Sequence, residues 1–207
     1  MAVLCLCGPS GCGKTTVGRA VARGAGCDFL DADDLHPPAN RRKMAEGTPL
    51  ADADRAPWLR AVRREAAARA GAGRRVVLAC SALKASYRRV LSGAAGADEE
   101  AEAEAAAGHS AAPAAAQSPS GGGGGATPVD IAFVLLNPPR PALEARVRAR
   151  EAAGRHFMPA ALLGSQLAAL ETGGAADWLL VIDDDRPPEA AAAAVLEAWL
   201  GPIRRGS

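Results

Sequence analysis

The sequence predicts an α/β fold in which a parallel sheet is wrapped by helices. Five short apolar runs alternate with segments that have helical spacing. Some of these runs, such as Val76–Cys80, are apolar throughout, which is typical of strands that are covered on both faces. This alternation favours a parallel sheet whose ligand binds beyond the carboxyl ends of the strands.

Each element is placed by its own pattern. The predicted strands are residues 2–7, about 27–30, Val76–Cys80, Ile131–Leu136 and Trp178–Ile182. The predicted helices are Lys14–Arg23, Pro38–Ala45, Ala56–Ala70, Lys84–Leu91, Arg140–Glu151, Pro159–Leu170 and Pro188–Leu200. Four of these helices carry a proline near the first turn, where a backbone N–H has no partner in the helix.

Composition predicts one soluble domain spanning residues 1–207. The 207 residues are 49% hydrophobic, which is enough for one sizeable core. A net charge of +1 argues against a nucleic-acid partner. No apolar stretch reaches the roughly 18 residues of a membrane span, and the first run is too short for a signal peptide. We therefore expect no membrane partner.

The cysteines predict a reducing compartment. There are five, an odd number with no C-x-x-C pair, so neither a disulfide framework nor a zinc site is favoured. Buried thiols are the simplest interpretation, and the expected location is the cytoplasm.

Residues 93–128 interrupt the alternation. Alanine, glutamate, serine, proline and glycine dominate this segment, which has no large apolar residue. Such a chain cannot offset its ordering entropy by burial, so the sequence predicts a disordered insert within the domain. A regulatory docking segment is the alternative.

Residues 8–15 form a predicted phosphate-binding loop, or P-loop. They read Gly-Pro-Ser-Gly-Cys-Gly-Lys-Thr, the pattern G-x-x-x-x-G-K-[ST], between an apolar run and a helical segment. In this context backbone N–H groups converge on the phosphates of a nucleotide. Lys14 is expected to reach the β- and γ-phosphates, and the Thr15 hydroxyl to bind Mg²⁺. A glycine-rich turn with an exposed lysine is the alternative.

An acidic cluster follows the second predicted strand. In an extended chain Asp31 and Asp33 lie on the same side. One carboxylate is expected to hold the Mg²⁺ shell and the other to accept a proton from an attacking hydroxyl. The alternative is helix capping by Asp34 with the other carboxylates solvated.

Two further clusters indicate a small anionic or polyhydroxylated substrate. A cationic helix, residues 40–44, precedes an acid–base loop, residues 52–57, with Trp58 as a packing anchor. Lys84 and Arg88 follow the third strand, share a predicted helix face and are placed to grip a carboxylate. Solvated surface charges, and capping of the helix by Ser81, are the alternatives.

An arginine-bearing segment predicts a closing lid. Arg146 and Arg150 share a helix face, and Arg155-His156-Phe157-Met158 follows after Ala-Ala-Gly. Phosphoryl transfer needs cations around the migrating group and exclusion of water. An ordinary charged helix is the alternative.

Together these motifs resemble the gluconokinase family. The resemblance lies in the P-loop, Asp-Ala-Asp-Asp-Leu-His-Pro, Asn-Arg-Arg-Lys-Met, Pro-Leu-x-Asp-x-Asp-Arg-x-Pro-Trp-Leu, Cys-Ser-Ala-Leu-Lys and His-Phe-Met. It spans nearly the whole chain outside the insert. It implies a P-loop NTPase three-layer sandwich with a five-stranded parallel sheet and a mobile lid, similar to shikimate and nucleoside monophosphate kinases. The implied reaction transfers the γ-phosphoryl of ATP to the C6 hydroxyl of D-gluconate, and the implied assembly is a homodimer.

The resemblance also implies roles for residues. ATP with Mg²⁺ is expected to bind Gly8, Ser10, Gly11, Cys12, Gly13, Lys14, Thr15, Thr16, Arg146 and Arg150. Gluconate is expected to contact Asp33, His36, Lys43, Arg55, Ser81, Lys84, Arg88 and His156. Lys14, Asp33 as base, and Arg150 are the expected catalytic residues, and Thr15 and Asp31 the metal residues. The lid departs from the shorter Arg-x-Gly-His-Phe form of the family, because Ala152-Ala153-Gly154 lengthens it and Arg155 precedes His156.

Two rivals remain at this point. One is another P-loop small-molecule kinase, acting on shikimate or a nucleotide, and the other is a non-catalytic ATP-binding regulatory protein. A GTPase is disfavoured because no Asn-Lys-x-Asp run occurs.

Overall fold

The central sheet has five strands, all parallel. The computed structural model describes residues 1–94, 128–153, 160–174 and 177–201. The strands are β1 (Val3–Cys7), β2 (Asp28–Asp31), β3 (Val76–Ala79), β4 (Ile131–Leu136) and β5 (Leu180–Ile182). Their order in the sheet is β2-β3-β1-β4-β5. All five predicted strands are confirmed, although β5 begins at Leu180 instead of Trp178.

Helices fill the intervals between the strands. They are α1 (Lys14–Ala25), α2 (Pro38–Ala45), α3 (Asp52–Gly71), α4 (Ala85–Ser92), α5 (Arg140–Ala152), α6 (Leu162–Ala169) and α7 (Pro188–Leu200). A 3₁₀ turn, Ala32–Leu35, follows β2.

The start of α3 differs from the prediction. The segment 52–57 is not a loop but the first turns of the helix. The Asp54 carboxylate accepts a hydrogen bond of 2.7 Å from the Ala51 N–H, which satisfies one of the unpaired amides at the helix start. The charged side chains of this segment therefore stand on a rigid helix.

The sheet separates two hydrophobic cores, as a three-layer sandwich requires. Val3, Cys5 and Cys7 of β1 face one core, and Leu4 and Leu6 face the other, because side chains alternate along a strand. The first core includes residues of α3 and α4: Trp58, Leu59, Val62, Val90 and Leu91. The second includes residues of α1, α5 and α7: Val17, Val21, Leu143, Val147 and Val195. The predicted fold class is confirmed.

The strand ends bring the functional segments together. The Gly8 N–H, just after β1, donates to the Ser81 carbonyl, just after β3, at 3.1 Å. β2 pairs with β3 in register, with Asp31 opposite Ala79, so the acidic cluster lies at the same edge. The predicted nucleotide and substrate segments therefore share the carboxyl edge of the sheet.

Two predicted segments fall partly or wholly outside the described residues. Positions 95–127 of the insert and positions 154–159 of the predicted lid are among them. The disorder of the insert and the closing of the lid stay predictions. No helix in the described ranges is both long enough and apolar enough to cross a membrane.

Candidate active site

Two glycines of the P-loop lie so close to neighbouring atoms that neither position has room for a Cβ. Gly8 has a φ of +134°, and an added Cβ would lie 2.2 Å from the Leu136 carbonyl oxygen at the end of β4. At Gly11 an added Cβ would lie 2.9 Å from Val147 Cγ2 on α5. The glycines thus let the loop backbone pack between β4 and α5.

Lys14, the first residue of α1, folds back over the loop. Its Nζ donates to the Gly8 carbonyl at 2.8 Å and to the Pro9 carbonyl at 3.0 Å. Burial opposes the charged form, but Cys12 and the carboxylates of Asp33 and Asp31 raise the pKa of Lys14 above its ordinary value. A protonated ammonium therefore stands at the centre of the loop.

Asp31 ties the P-loop helix to the acidic cluster. Its Oδ2 accepts a hydrogen bond of 2.9 Å from the Thr15 hydroxyl, and its Oδ1 accepts one of 3.2 Å from the Asp33 N–H. The second bond caps the 3₁₀ turn that contains Asp33. The chain is therefore not extended here, and the strand alternation predicted for Asp31 and Asp33 is wrong. The cap is made by Asp31, while Asp34 is exposed.

His36 is a neutral, buried group beside Asp33. Its Nε2 lies 3.9 Å from Asp33 Oδ1, and its ring stacks on Trp58 with centroids 4.1 Å apart. Burial, with the nearby positive charges of Arg41 and Arg55, lowers the pKa of His36 to about 4. Trp58 is 2% exposed and its Nε1 donates to the Ala32 carbonyl, so it anchors packing as predicted.

A first cavity of about 780 Å³ lies beyond the P-loop. Four of the residues predicted to bind substrate line it, namely Asp33, His36, Arg55 and Ser81. The P-loop contributes Ser10, Gly11, Lys14 and Thr15, and α5 contributes Arg150. This lining of charged and neutral polar side chains suits a small polar metabolite.

A second cavity of about 580 Å³ lies on the other side of the P-loop. It is lined by the predicted nucleotide-binding residues Gly11, Cys12, Gly13, Thr16, Arg146 and Arg150, together with Ile182, Asp184, Arg186 and others. Arg146 donates to the Gly11 carbonyl at 3.3 Å and forms an ion pair with Asp185. Gly11 and Arg150 line both cavities, so the two spaces meet at the phosphate loop.

Three predicted substrate residues do not line the first cavity. Lys43 Nζ pairs with Asp54 at 2.6 Å, and Lys84 Nζ pairs with Asp52 at 2.7 Å. Arg88 is 5% exposed, and its guanidinium lies 4.4 Å over the Trp178 ring.

The expectation that Lys84 and Arg88 share a helix face is wrong. Lys84 is the residue before α4, not a member of the helix. Arg88 donates to the Ala82 and Leu83 carbonyls at 3.1 and 3.4 Å and so holds the loop that carries Ser81. Ser81 does not cap α4; the Glu171 carboxylate accepts from the Ala85 N–H at 2.7 Å instead.

Sequence reasoning missed several lining residues. α6 contributes Leu162, Ser165 and Gln166 to the first cavity, and Gln166 Oε1 accepts from the Ser10 N–H at 2.7 Å. No motif marks this helix. The sequence could have indicated Asp184 and Arg186 as lining residues, because both follow the fifth strand closely, at the functional edge of the sheet. His156 lies outside the described residues.

Known proteins are similar to this chain in sequence and fold. A family model described as an AAA domain matches residues 3–172. A gluconokinase of Arabidopsis thaliana is 36% identical over 169 residues, which is 82% of this chain and 77% of that protein. A gluconokinase of Gluconobacter oxydans is 40% identical over 171 residues, covering 83% and 76%. The crystal structure of a gluconokinase from Sinorhizobium meliloti has a TM-score of 0.62 at 34% identity, covering 97% of this chain and 90% of that one.

The chain belongs to the gluconokinase family. Membership confirms the resemblance carried by the sequence motifs and identifies the protein as a kinase. The P-loop kinase fold implies that ATP binds here.

Proposed function

We propose that this protein phosphorylates D-gluconate at the C6 hydroxyl, using ATP and producing 6-phospho-D-gluconate and ADP. The observation that carries the proposal is that the two cavities meet at Gly11 and Arg150. A nucleotide in one cavity then presents its terminal phosphate to an acceptor in the other. The acceptor is assigned as gluconate by the named relatives.

The second cavity takes the nucleotide. The base and ribose lie toward Arg146 and the segment after β5, and the phosphates lie along the P-loop amides. Lys14 and Arg150 supply positive charge where negative charge builds on the migrating phosphoryl group, which is the main task of protein in this chemistry.

Thr15 and Asp31 fit a magnesium ion. A hydroxyl and a carboxylate that already lie 2.9 Å apart are the hard oxygen donors that Mg²⁺ accepts. These two residues would hold the ion from the protein side. When bound, the ion neutralises phosphate charge.

The first cavity takes the sugar acid. Asp33 accepts the proton of the attacking hydroxyl, since its carboxylate lines the cavity that Lys14 also lines. Arg55, neutral His36 and Ser81 offer one charged and two neutral polar groups to the carboxylate and hydroxyls. Lys43, Lys84, Arg88 and His156 stay proposed substrate contacts from the resemblance. The phosphoryl group moves in line, with no covalent enzyme intermediate.

A coupled assay of ADP release tests the function. We expect turnover that depends on D-gluconate, little with shikimate or nucleoside monophosphates, and a product that phosphorus NMR places at C6. Lys14→Met should abolish turnover with the fold intact by circular dichroism, whereas Arg23→Met, an exposed cation of the same helix, should not. Turnover with another acceptor, or ATP binding without any turnover, would favour one of the two rivals. The cytoplasmic location and the homodimer stay predictions.

A further inference from the structure

A cluster of four side chains joins α3 to α4 behind the first cavity. Asp52 Oδ2 pairs with Lys84 Nζ at 2.7 Å, and its Oδ1 accepts a hydrogen bond from the Tyr87 hydroxyl. Arg55 Nη1 lies 3.5 Å from Asp52 Oδ1 and donates to the Tyr87 hydroxyl at 3.2 Å. We call these residues the Asp52 cluster.

Protonation in the Asp52 cluster is well defined at neutral pH. Burial raises the pKa of the Tyr87 phenol, so it stays protonated and donates to Asp52. Partial burial opposes ionisation of Asp52, but hydrogen bonds from Lys84 and Tyr87 hold its pKa below the ordinary value. A carboxylate, a phenol and two cations therefore coexist, with one net positive charge.

Arg55 is the residue of the Asp52 cluster that presents positive charge to the first cavity. Arg55 lines the first cavity, whereas Asp52, Lys84 and Tyr87 do not. The Arg55 guanidinium is held from the protein side by Asp52 and by Tyr87, whose ring centroid lies 5.5 Å from Cζ. A guanidinium held in this way loses little rotamer freedom when it binds a carboxylate.

The cations that line the first cavity come from two different parts of the fold. Lys14 and Arg150 line the cavity at the P-loop, where the phosphoryl group arrives. Arg55 comes from α3 and is braced by α4. A six-carbon sugar acid has its carboxylate and its terminal hydroxyl at opposite ends, so the two ends need separate partners.

We propose that Asp52 is a positioning residue that orients Arg55 to bind the carboxylate of the sugar acid. Lys84 pairs with Oδ2 of Asp52, while Arg55 lies near Oδ1. The substrate named here rests on the proposed function. A positioning residue acts through substrate affinity, so its loss should raise KM for the acid more than it lowers kcat.

The test compares Asp52→Asn with wild type in gluconate and ATP titrations. We expect KM for D-gluconate to rise about tenfold, with kcat within about threefold and KM for ATP unchanged. D-Glucitol, which lacks the carboxylate, should keep its inhibition constant as a competitor within about twofold. Asp52→Glu should restore most of the affinity. Glu65→Gln, which removes another ion-paired carboxylate of α3, is the matched control and should change none of these values.

Each outcome has a distinct meaning. An unchanged KM for gluconate in Asp52→Asn overturns the inference, as does a parallel loss of D-glucitol inhibition, since that indicates general damage to the cavity. If Asp52→Asn does not fold, Tyr87→Phe is the variant to measure. It keeps the Asp52–Lys84 pair and removes the hydrogen bond between the Tyr87 hydroxyl and Arg55. KM for D-gluconate should then rise about threefold. A wild-type protein without gluconate-dependent turnover would instead reject the proposed function.

Discussion

The Thr15 hydroxyl donates a hydrogen bond of 2.9 Å to the Asp31 carboxylate, which links the first turn of α1 to the end of β2. One residue of the pair comes from the P-loop motif and the other from the acidic cluster. Their contact places the two motifs in a single oxygen-rich site next to Lys14. This site is where the proposed magnesium ion would be held.

Asp31→Asn should raise the Mg²⁺ concentration for half-maximal rate by about tenfold, because a neutral amide is a weaker ligand than a carboxylate. The amide oxygen can still accept from the Asp33 N–H, so the 3₁₀ turn should persist. Titration of initial rate with Mg²⁺ measures the effect. Asp28→Asn, at the other end of β2 and paired with Arg74, is the control. An unaltered Mg²⁺ requirement in Asp31→Asn would remove Asp31 from the metal site.

Asp33→Asn should lower kcat by about 100-fold or more, because the acceptor hydroxyl loses its proton acceptor. KM for ATP should change little, since the second cavity does not include Asp33. Steady-state kinetics measure both values. Asp34→Asn alters the next residue of the same turn, which is exposed, and should leave kcat near wild type. If the two variants retained equal rates, Asp33 would not be the base.

The protein should lose stability between pH 7 and pH 5 through His36. Unfolded His36 takes up a proton near pH 6.5, whereas the folded residue resists protonation until about pH 4. Acid therefore favours the unfolded state in this window, by up to about 2 kcal/mol at pH 5. Urea denaturation at both pH values should show a smaller loss in His36→Gln than in wild type. Equal losses would contradict a neutral His36.

Gly8→Ala should destabilise the fold far more than Gly26→Ala. Both glycines have positive φ, but an alanine Cβ at Gly8 would collide with the Leu136 carbonyl, whereas at Gly26 nothing lies within 4 Å. We expect a loss of at least about 3 kcal/mol at Gly8 and about 1 kcal/mol at Gly26. Urea denaturation measures both free energies of unfolding. Similar losses would show that close approach to β4 is unimportant.

Local features were predictable because their causes are local. Pro38 and Pro188 mark the starts of α2 and α7, where each helix begins in the structure. The P-loop was recognisable because its glycines and Lys14 serve one short stretch of backbone. The start of α3 was missed because the cap between Asp54 and Ala51 is weakly encoded in a segment that also reads as a charged loop.

Partners of charged residues were harder to predict. Lys84 stays a predicted substrate contact, but its pairing with Asp52, 32 positions earlier in the chain, was not foreseen. Arg88 was expected to share a helix face with Lys84 and to grip a carboxylate, and its burial against Trp178 was not foreseen. Both outcomes depend on how α4 packs against α3 and the segment before β5. The periodicity of α4 reveals which face is apolar, but not which charged groups a neighbouring element will bring to it.

The amino-acid sequence by itself determined the strand and helix alternation, the phosphate loop and the family, because these depend on spacing within short stretches of chain. The tertiary structure alone decided which cations line the first cavity. Arg55 lines it, while Lys43 and Lys84 pair with carboxylates of α3 outside it. The physical reason is that an ion pair forms only where packing brings opposite charges within a few ångströms, and that distance is set by the whole fold.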